Sequence, residues 1–501
     1  MAGSLYRLIR DCAPADLDQP VLVPVHGAAL SYGDLFRAAG RYGTAMAAAG
    51  VAPGDRVAVL VEKSPQALIT YLACLRAGFA FLPMNTAYRA AEVGHVLGDA
   101  EPALVICDPA RADEIGALAP GPVLTLDGGG RGSLAAAAAA AQSGIADAEL
   151  AGDDLAALLY TSGTTGRPKG AMLSHRNLAA NGLVLRDSWG FTGADVLLHA
   201  LPIFHAHGLF VACHCVLLAG ARMIWLDRFH QAEVIRNLTR ATVFMGVPTF
   251  YGRLMADADF DAAACARIRL FVSGSAPLLA ETHRAFEART GHVILERYGM
   301  TETGMNSSNP LAGERRAGTV GFPLPGTEIR ITGEDGRVLP TGEIGLVEVQ
   351  GDNVFAGYWR LPDKTAEEFD GPWFKTGDLG HFDADGYLHL VGRSKDLIIS
   401  GGFNVYPKEI EGVIDGLAGV AESAVIGVAH PDFGEGVVAV VVREAGSDAP
   451  DEAAVIAAAK AELANFKLPK RVFFRDALPR NTMGKVQKNR LREEHVDAFR
   501  G

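Results

Sequence analysis

The chain has 501 residues, of which 49% are hydrophobic and 21% are charged, so we expect a globular protein with two or more domains. A formal net charge of −12 argues against broad nucleic-acid binding, which needs a basic face. The sequence has no charge-free apolar run of about 18 residues and no signal peptide, and its six cysteines are scattered. These features predict a cytoplasmic protein that binds no membrane and has no disulfide framework.

The first part of the chain alternates short apolar strands with helices. A strand at residues 57–61, a helix at 65–76 and a strand at 79–82 form a βαβ unit, which indicates a parallel sheet. The same pattern predicts further strands at residues 103–107, 156–160, 196–200, 243–246, 270–273 and 293–295. The sequence therefore predicts the α/β class for this part of the chain.

A glycine-rich turn near residue 130 has the spacing of a dinucleotide-binding fingerprint. Gly130, Gly132 and Ala135 fit the pattern G-x-G-x-x-A. That fingerprint requires a second strand that ends in an acidic residue, and the sequence shows no clear one here. We predict instead a loop followed by a surface helix over the alanine run at residues 135–141.

The character of the chain changes after about residue 321. Frequent turn signals up to residue 390 indicate antiparallel β-structure. A smaller α+β segment follows Lys395, and we place a domain boundary there, between residues 1–395 and 396–501. In the second segment the pattern predicts strands near residues 422–428, 437–443 and 471–475 and a helix near 452–463.

The strongest functional signal is the segment from Tyr160 to Gly170, which follows an apolar strand. It contains three glycines and four serine or threonine residues. Glycines let backbone N–H groups converge on anionic oxygens, and Lys169 adds a positive charge. The spacing differs from that of a Walker A loop. We predict a loop that binds the polyphosphate of a nucleotide.

This segment resembles the phosphate loop of the acyl-adenylate-forming superfamily, which includes acyl-CoA synthetases, peptide-synthetase adenylation domains and luciferases. Six further segments resemble motifs of that superfamily and keep its order along the chain. They are residues 273–277, 298–302, 376–378, 392–396, 400–407 and 479–485. The motifs together extend over most of the chain, which makes the resemblance specific.

The resemblance implies a large N-terminal domain of stacked βαβ sheets with a distorted β-barrel subdomain, followed by a small mobile α+β C-terminal domain. It implies an acid–thiol ligase that uses ATP, Mg²⁺ and coenzyme A. The residues implied for ATP binding are Thr161, Ser162, Gly163, Thr164, Thr165, Gly166, Lys169, Ser275, Ala276, Pro277, Glu296, Tyr298, Gly299, Met300, Thr301, Asp378, Arg393 and Lys485. Those implied for coenzyme A are Ser400, Gly401, Gly402 and Phe403.

The chemistry of the first half-reaction explains these residue types. A carboxylate is a poor electrophile until its transfer to the α-phosphate of ATP creates a good leaving group, AMP. All reacting groups are anionic, so stabilisation by positive charge dominates. The resemblance implies that Lys485 bridges the carboxylate and the α-phosphate, and that Thr161 and Glu302 bind the Mg²⁺. Tyr298 is expected to stack on adenine, and Asp378 to bind the ribose hydroxyls.

The second half-reaction needs a thiol in place of this machinery. The resemblance implies that the C-terminal domain rotates about Lys395, which removes Lys485 and brings residues 400–403 to the site. Two glycines in that loop suit a narrow tunnel against the backbone. Cys213 and Cys215 lie two positions apart, near three histidines at positions 205, 207 and 214, and would point in different directions on a helix, so we expect them to pack rather than to bind a metal.

The choice of acid depends on Arg297, directly before Tyr298. A buried guanidinium is costly without an anion and binds a carboxylate through two hydrogen bonds. An ion pair with Glu296 or another acid is the alternative explanation. Segments 295–303 and 204–210 resemble malonyl-CoA synthetases, and this resemblance implies a small dicarboxylate substrate. The implied pocket contains Arg297, His207, Ser275 and Met305, with His207 also among the catalytic residues, and the small Ala206 leaves space for methylmalonate.

Other functions stay open at this point. One is a ligase for a different small or aromatic acid, with Arg297 turned outward, and another is a stand-alone adenylation domain that loads a carrier protein. A non-catalytic nucleotide sensor is disfavoured because Lys485, Glu302 and Lys395 occur together. Lys485 is expected on an exposed loop, so a lysine acetyltransferase that removes its charge is a predicted partner.

Overall fold

A computed structural model describes residues 3–161, 168–400, 403–444, 450–481 and 484–499. The chain divides into two compact units. The first comprises Met1–Ala317, Gly321–Glu328 and Val349–Phe374, and the second comprises Gly318–Val320, Ile329–Glu348 and Lys375–Gly501. A pivot at Lys395, which belongs to the second unit by this division, stays a prediction. No helix of the described residues is long and apolar enough to cross a lipid bilayer.

The first unit contains the predicted βαβ element. The helix Pro65–Ala77 begins where the Ser64 side chain accepts the Ala67 N–H, and it ends at Gly78, whose φ of 76° suits glycine. It joins two parallel strands of a sheet that has seven strands within the described residues. Their spatial order is Gly357–Tyr358, Lys169–Ser174, Leu155–Thr161, Ala80–Pro83, Arg56–Leu60, Leu104–Cys107 and Val123–Thr125.

A second sheet of the first unit has nine strands within the described residues. Their order is Phe322–Pro323, Gly304–Ser308, Leu295–Met300, Leu270–Ser273, Val243–Gly246, Val196–His199, Arg222–Trp225, Pro20–Pro24 and Leu30–Ser31. The inner pairings are parallel. The strand predicted at residues 293–295 is wrong in its bounds, because the strand begins at Leu295 and ends at Met300. Glu296, Arg297 and Tyr298 interrupt the apolar pattern from which strands are predicted.

The helix predicted over the alanine run is confirmed as Ser133–Ala140. The turn before this helix requires a glycine at position 132, since a Cβ there would lie 2.2 Å from the Thr125 carbonyl oxygen. The other α-helices described in the first unit are Leu5–Asp11, Tyr32–Ala48, Ala90–Ala100, Ala112–Gly116, His175–Ser188, His214–Leu217, Gln231–Leu238, Pro248–Met255, Ala262–Cys265, Ala280–Thr290 and Pro362–Glu367. A π-helix spans His207–Cys213.

Antiparallel β-structure after residue 321 is confirmed. The strand Trp373–Phe382 pairs antiparallel with Phe369–Asp370 and with Leu388–Arg393. The same sheet includes Thr327–Thr332 and Gly345–Gly351.

The remaining sheet lies in the second unit and has an aliphatic core of valines and isoleucines. Its strands are Phe403–Val405, Ile398–Ser400, Gly434–Arg443, Val420–His430 and Arg471–Arg475, and its helices are Pro407–Asp415, Glu452–Glu462 and Lys488–Glu494. The strand predicted at residues 422–428 extends further at both ends and spans Val420–His430. It pairs along this whole length with the next strand, Gly434–Arg443.

Candidate active site

The predicted acid-binding residues meet at one edge of the nine-stranded sheet. Leu270–Ser273 pairs in parallel with Leu295–Met300, which places Ser273 beside Glu296. Segments that follow neighbouring parallel strands meet at the carboxyl edge of a sheet. The segment that begins at Gly274 therefore lies beside the strand that carries Arg297.

The Arg297 side chain is almost fully buried, with 3% of the residue exposed. Its Nε and Nη2 atoms have no hydrogen-bond partner within the described residues, and no carboxylate of those residues forms an ion pair with it. Burial lowers the pKa of Arg297 to about 10, opposed by Tyr251 and Cys215. The structure thus buries a guanidinium with two donors that have no partner among the described residues.

The alternative ion pair with Glu296 does not form. Neighbouring side chains of a strand point to opposite faces. The Glu296 carboxylate accepts a hydrogen bond from the Leu278 backbone N–H at 3.2 Å. Arg297 instead packs on Gly274, where an added Cβ would lie 2.4 Å from the guanidinium carbon. Arg297 can therefore occupy its observed position only because residue 274 is a glycine.

His207 lies in the same region as Arg297 and is also buried. Its Nδ1 is 3.1 Å from the Ser275 hydroxyl, and its Nε2 has no partner among the described residues. Burial and then the charge of Arg297 hold the pKa of His207 well below its usual value. His207 is therefore a neutral imidazole. Ser275 has a positive φ of 72°, a strained backbone that orients its side chain.

The backbone of Met305 is held by two hydrogen bonds to the Asn181 side chain, which the sequence did not predict. The Asn181 side chain accepts the Met305 N–H at 3.1 Å and donates to the Met305 carbonyl at 2.9 Å. The Met305 side chain reaches Gly299, where a Cβ would lie 2.5 Å from its methyl carbon. A small cavity beside it is lined in part by Ala206, Thr301 and Phe210. The backbone of the pocket is thus fixed by packing and hydrogen bonds.

The predicted metal-binding pair is close together at the end of the strand Leu155–Thr161. The Thr161 hydroxyl is 3.4 Å from Glu302 Oε1, and the Tyr358 hydroxyl donates to the same oxygen at 3.1 Å. Glu302 is 6% exposed. Hard oxygen donors of this kind suit Mg²⁺. Tyr358 was not identified from the sequence, because nothing in its local pattern distinguishes it.

The predicted phosphate loop ends earlier than the sequence suggested. Lys169 and Gly170 begin the strand Lys169–Ser174, in which Lys169 pairs with Thr161. The Lys169 ammonium lies 4.1 Å above the Tyr358 ring and 3.7 Å from Glu368. The predicted ligands Ser162, Gly163, Thr164, Thr165 and Gly166 lie outside the described residues.

Most of the other residues predicted to bind the nucleotide are partly or fully buried. In the first unit they lie in the strand that carries Arg297 and in the segment that follows Ser275. Tyr298 is 7% exposed and, with Gly299 and Met300, completes the strand that carries Arg297, with Thr301 directly after it. Ala276 and Pro277 follow Ser275 in the segment next to that strand. Their positions are compatible with one nucleotide-binding edge, but their roles stay predictions.

In the second unit the predicted ribose carboxylate has a cation beside it. Asp378 is 2.7 Å from Arg393 Nε, and Arg393 also donates to the Thr376 carbonyl at 3.0 Å. Lys485 belongs to the same electrostatic environment. Although Lys485 is exposed, the protein atoms around its ammonium lower its pKa, Arg393 lowers it further, and Asp378 raises it. Burial also lowers the pKa of Lys395.

The predicted thiol-side loop is described only at its ends. Ser400 is buried, whereas Phe403 is 56% exposed and stacks on Phe466 with 4.7 Å between the ring centroids. Gly401 and Gly402 lie outside the described residues.

The histidine and cysteine cluster is buried in packing contacts. Cys213 and Cys215 are fully buried, and burial raises the pKa of Cys213 to about 12. The described residues contain no group of three or more histidine, cysteine, aspartate or glutamate side chains placed to bind a metal ion.

Comparison with known proteins identifies the relatives of this chain. Residues 10–359 match the family described as AMP-binding enzyme, and residues 409–485 match the AMP-binding enzyme C-terminal domain. The ATP-bound crystal structure of MatB from Rhodopseudomonas palustris is similar to this structure, with a TM-score of 0.97, 54% sequence identity and 100% of each chain covered.

Other relatives bear the names of ligases for different acids. A feruloyl-CoA synthase from an Amycolatopsis species is 38% identical and covers 93% of this chain and 94% of the relative. A sulfoacetate–CoA ligase from Cupriavidus necator is 39% identical over 95% of this chain and 94% of the relative. A malonate–CoA ligase from Arabidopsis thaliana is 35% identical over 89% of this chain and 78% of the relative.

Proposed function

The chain belongs to the AMP-binding enzyme family, and from this membership we propose that it converts malonate, ATP and coenzyme A to malonyl-CoA, AMP and diphosphate through a malonyl-adenylate. The reaction class is AMP-forming acid–thiol ligation. The observation that carries the choice of acid is the buried guanidinium of Arg297, which has no anionic partner among the described residues. A second carboxylate on the substrate supplies that partner.

Two of the relatives support a doubly anionic acid. The malonate–CoA ligase and the sulfoacetate–CoA ligase act on acids that carry a second anionic group beside the carboxylate that is activated. Ferulate has no such second acid, and binding it here would leave the Arg297 cation buried without an anion, which is costly. The charge of the pocket therefore favours a dicarboxylate.

The pocket residues divide the recognition of malonate between them. Nε and Nη2 of Arg297 form a two-pronged donor that matches one carboxylate. If the Nδ1 of His207 accepts the Ser275 hydroxyl proton, its Nε2–H donates a second contact to the acid. A neutral His207 adds no charge that competes with Arg297. Ala206, near Met305, leaves room for the methyl group of methylmalonate.

The adenylation step requires positive charge at the α-phosphate. Lys485 supplies it by binding both the acid and the phosphate oxygens, while Asp378 binds the ribose. Thr161 and Glu302 would provide oxygen ligands for a Mg²⁺, which would neutralise part of the charge of the phosphates. Thioester formation follows after rotation about Lys395, with Ser400 and Phe403 at the entry of the thiol. Acetylation of Lys485 by a lysine acetyltransferase removes the charge on which the first step depends.

The test is an acid panel with product identification. Purified protein is incubated with ATP, Mg²⁺ and malonate, methylmalonate, acetate, butyrate, sulfoacetate or ferulate, with and without coenzyme A. We expect malonyl-CoA as the dominant product, less methylmalonyl-CoA, and AMP release that depends on the acid. Faster thioester formation from ferulate or butyrate than from malonate would refute the proposed substrate. Adenylate formation without any thioester would indicate a carrier-loading domain instead.

A further inference from the structure

A buried lysine lies close to the acid pocket and has no role in the reaction as described so far. Lys63 lies in the turn between the strand Arg56–Leu60 and the helix Pro65–Ala77, and only 7% of it is exposed. Within the described residues no carboxylate forms an ion pair with it. Its ammonium lies 4.2 Å above the Trp225 ring. Burying an amine is costly unless its hydrogen bonds are satisfied, so its partners are informative.

The partner of Lys63 is His199, the last residue of the strand Val196–His199. The Lys63 ammonium is 2.8 Å from His199 Nδ1 and 3.0 Å from the His199 carbonyl oxygen. Burial lowers the pKa of Lys63 to about 7, so its charge alone does not set the direction of this hydrogen bond. The Gly208 carbonyl oxygen beside Nε2 can only accept, so the proton of the neutral ring is on Nε2, and Nδ1 accepts from the Lys63 amine. Burial, followed by the charge of Lys63, holds the pKa of His199 well below its usual value, which keeps the ring neutral.

The proton on His199 Nε2 has a defined acceptor. Nε2 is 2.8 Å from the Gly208 carbonyl oxygen and 3.4 Å from the Cys213 sulfur. Gly208 follows His207 at the start of the π-helix His207–Cys213. A Cβ at Gly208 would lie 2.0 Å from the Pro202 carbonyl oxygen, so the backbone here is also confined from the other side. Single π-helical turns often occur at functional sites.

We propose that Lys63 is a positioning residue for the acid pocket, acting through His199 on the Gly208 carbonyl and thereby on the orientation of His207. The proposal rests on the proposed function only in that His207 contacts the acid. Lys63 donates to His199 Nδ1 and orients the ring, His199 holds the first turn of the π-helix, and that turn carries the imidazole that meets Ser275. A methionine in place of Lys63 would fill the space but would leave His199 Nδ1 without the donor that orients the ring.

The test is a double-mutant cycle on the full-length protein. Lys63→Met, His207→Ala and the double variant are compared with wild type by KM for the acid, KM for ATP and kcat. We expect Lys63→Met to raise the acid KM about 10- to 100-fold and to leave the ATP KM within about twofold, the range for loss of one hydrogen bond to a charged group. In the His207→Ala background the same substitution should add less than about twofold.

Two further variants separate positioning from general damage. Lys63→Gln keeps a donor for His199 Nδ1 and should restore most of the acid affinity. Tyr71→Phe removes a buried hydrogen bond of 2.8 Å to His214 and should leave the acid KM unchanged, because this hydrogen bond is not part of the series of contacts from Lys63 through His199 to Gly208. Thermal unfolding of each variant checks that it is folded, and if Lys63→Met does not fold, Lys63→Gln and His199→Gln enter the same cycle.

The outcomes are distinct from those of the acid panel. If the wild type makes no malonyl-CoA, the proposed substrate fails, and the cycle is carried out with the acid that it does activate. If the effects of Lys63→Met and His207→Ala simply add, or if Lys63→Met raises the KM of ATP as much as that of the acid, the positioning role is refuted. An equal rise in acid KM for Tyr71→Phe would refute it as well.

Discussion

Replacing Arg297 by methionine should change the preferred substrate. Nε and Nη2 of Arg297 have no partner among the described residues, and burial lowers its pKa from 12.5 to about 10. That change corresponds to roughly 3 kcal/mol against the charged form in the absence of a ligand. A bound carboxylate offsets this cost. Methionine retains much of the volume beside Gly274 and has no charge to bind an anion.

The expected loss follows from removing one partner of a buried pair. Such a removal costs roughly 2–5 kcal/mol, or about 30- to 5,000-fold in kcat/KM for malonate. Butyrate has no distal carboxylate, so its kcat/KM should change little or rise. Arg297→Lys should recover only part of the malonate activity, because an ammonium cannot form the two-pronged contact. The assay is the rate of thioester formation with malonate and with butyrate for wild type and both variants.

Arg315 provides the matched control. It donates to the carbonyl oxygens of Val293, Pro310 and Leu311 and so has a purely structural environment. Arg315→Met should lower the free energy of unfolding and leave the ratio of malonate to butyrate activity unchanged. Arg297→Met should instead raise the free energy of unfolding, because it removes an uncompensated buried charge, and should lower the ratio of malonate to butyrate activity. A fixed substrate ratio together with a lower free energy of unfolding in Arg297→Met would show that Arg297 is structural.

Other variants and conditions test other parts of the proposal. Lys485→Ala should slow adenylate formation at least about 100-fold yet spare thioester formation from supplied malonyl-adenylate, and near-normal adenylation measured by diphosphate release would refute the assignment. Quantitative acetylation of Lys485, followed by mass spectrometry, should inactivate the same half-reaction, and full residual activity would exclude this control. Burial lowers the pKa of His175 to about 4 and of His214 to about 3, and also lowers those of His199 and His207. The unfolded chain therefore binds more protons below about pH 6.5, and denaturant titrations should show the free energy of unfolding fall by about 1 kcal/mol per histidine between pH 7 and 5.5. A free energy that is flat over this range would contradict the burial of these rings.

Much of the first unit could be predicted because its local patterns agree with its packing. The apolar strand Arg56–Leu60 and the helix Pro65–Ala77 carry periodicity, a cap and a terminal glycine within one short stretch. The bounds of Leu295–Met300 could not be predicted, because the buried polar residues of the proposed acid site replace the expected apolar ones. The sequence pattern therefore fails where polar side chains are buried for a reason other than the packing of the core.

The contacts that shape the pocket could not be predicted from local sequence patterns, because they join residues that are far apart in the chain. Lys63 and His199 are 136 positions apart, and their hydrogen bond joins a turn that follows a strand of one sheet to the last residue of a strand of another sheet. Asn181 and Met305 are 124 positions apart. The sequence could suggest that Arg297 binds an anion, but whether it pairs with a neighbouring acid depends on the three-dimensional arrangement. The alternation of side chains along the strand, once its true bounds are known, separates Arg297 from Glu296.

The most direct test of the central claim changes the substrate and leaves the protein intact. Malonamate has nearly the shape of malonate, but its distal group is a neutral amide. If Arg297 recognises the distal carboxylate, wild-type kcat/KM for malonamate should be about 30- to 5,000-fold lower than for malonate, and the difference should nearly vanish in Arg297→Met. Equal kcat/KM values for malonate and malonamate in the wild type would contradict a role for the distal charge, and with it the dicarboxylate function.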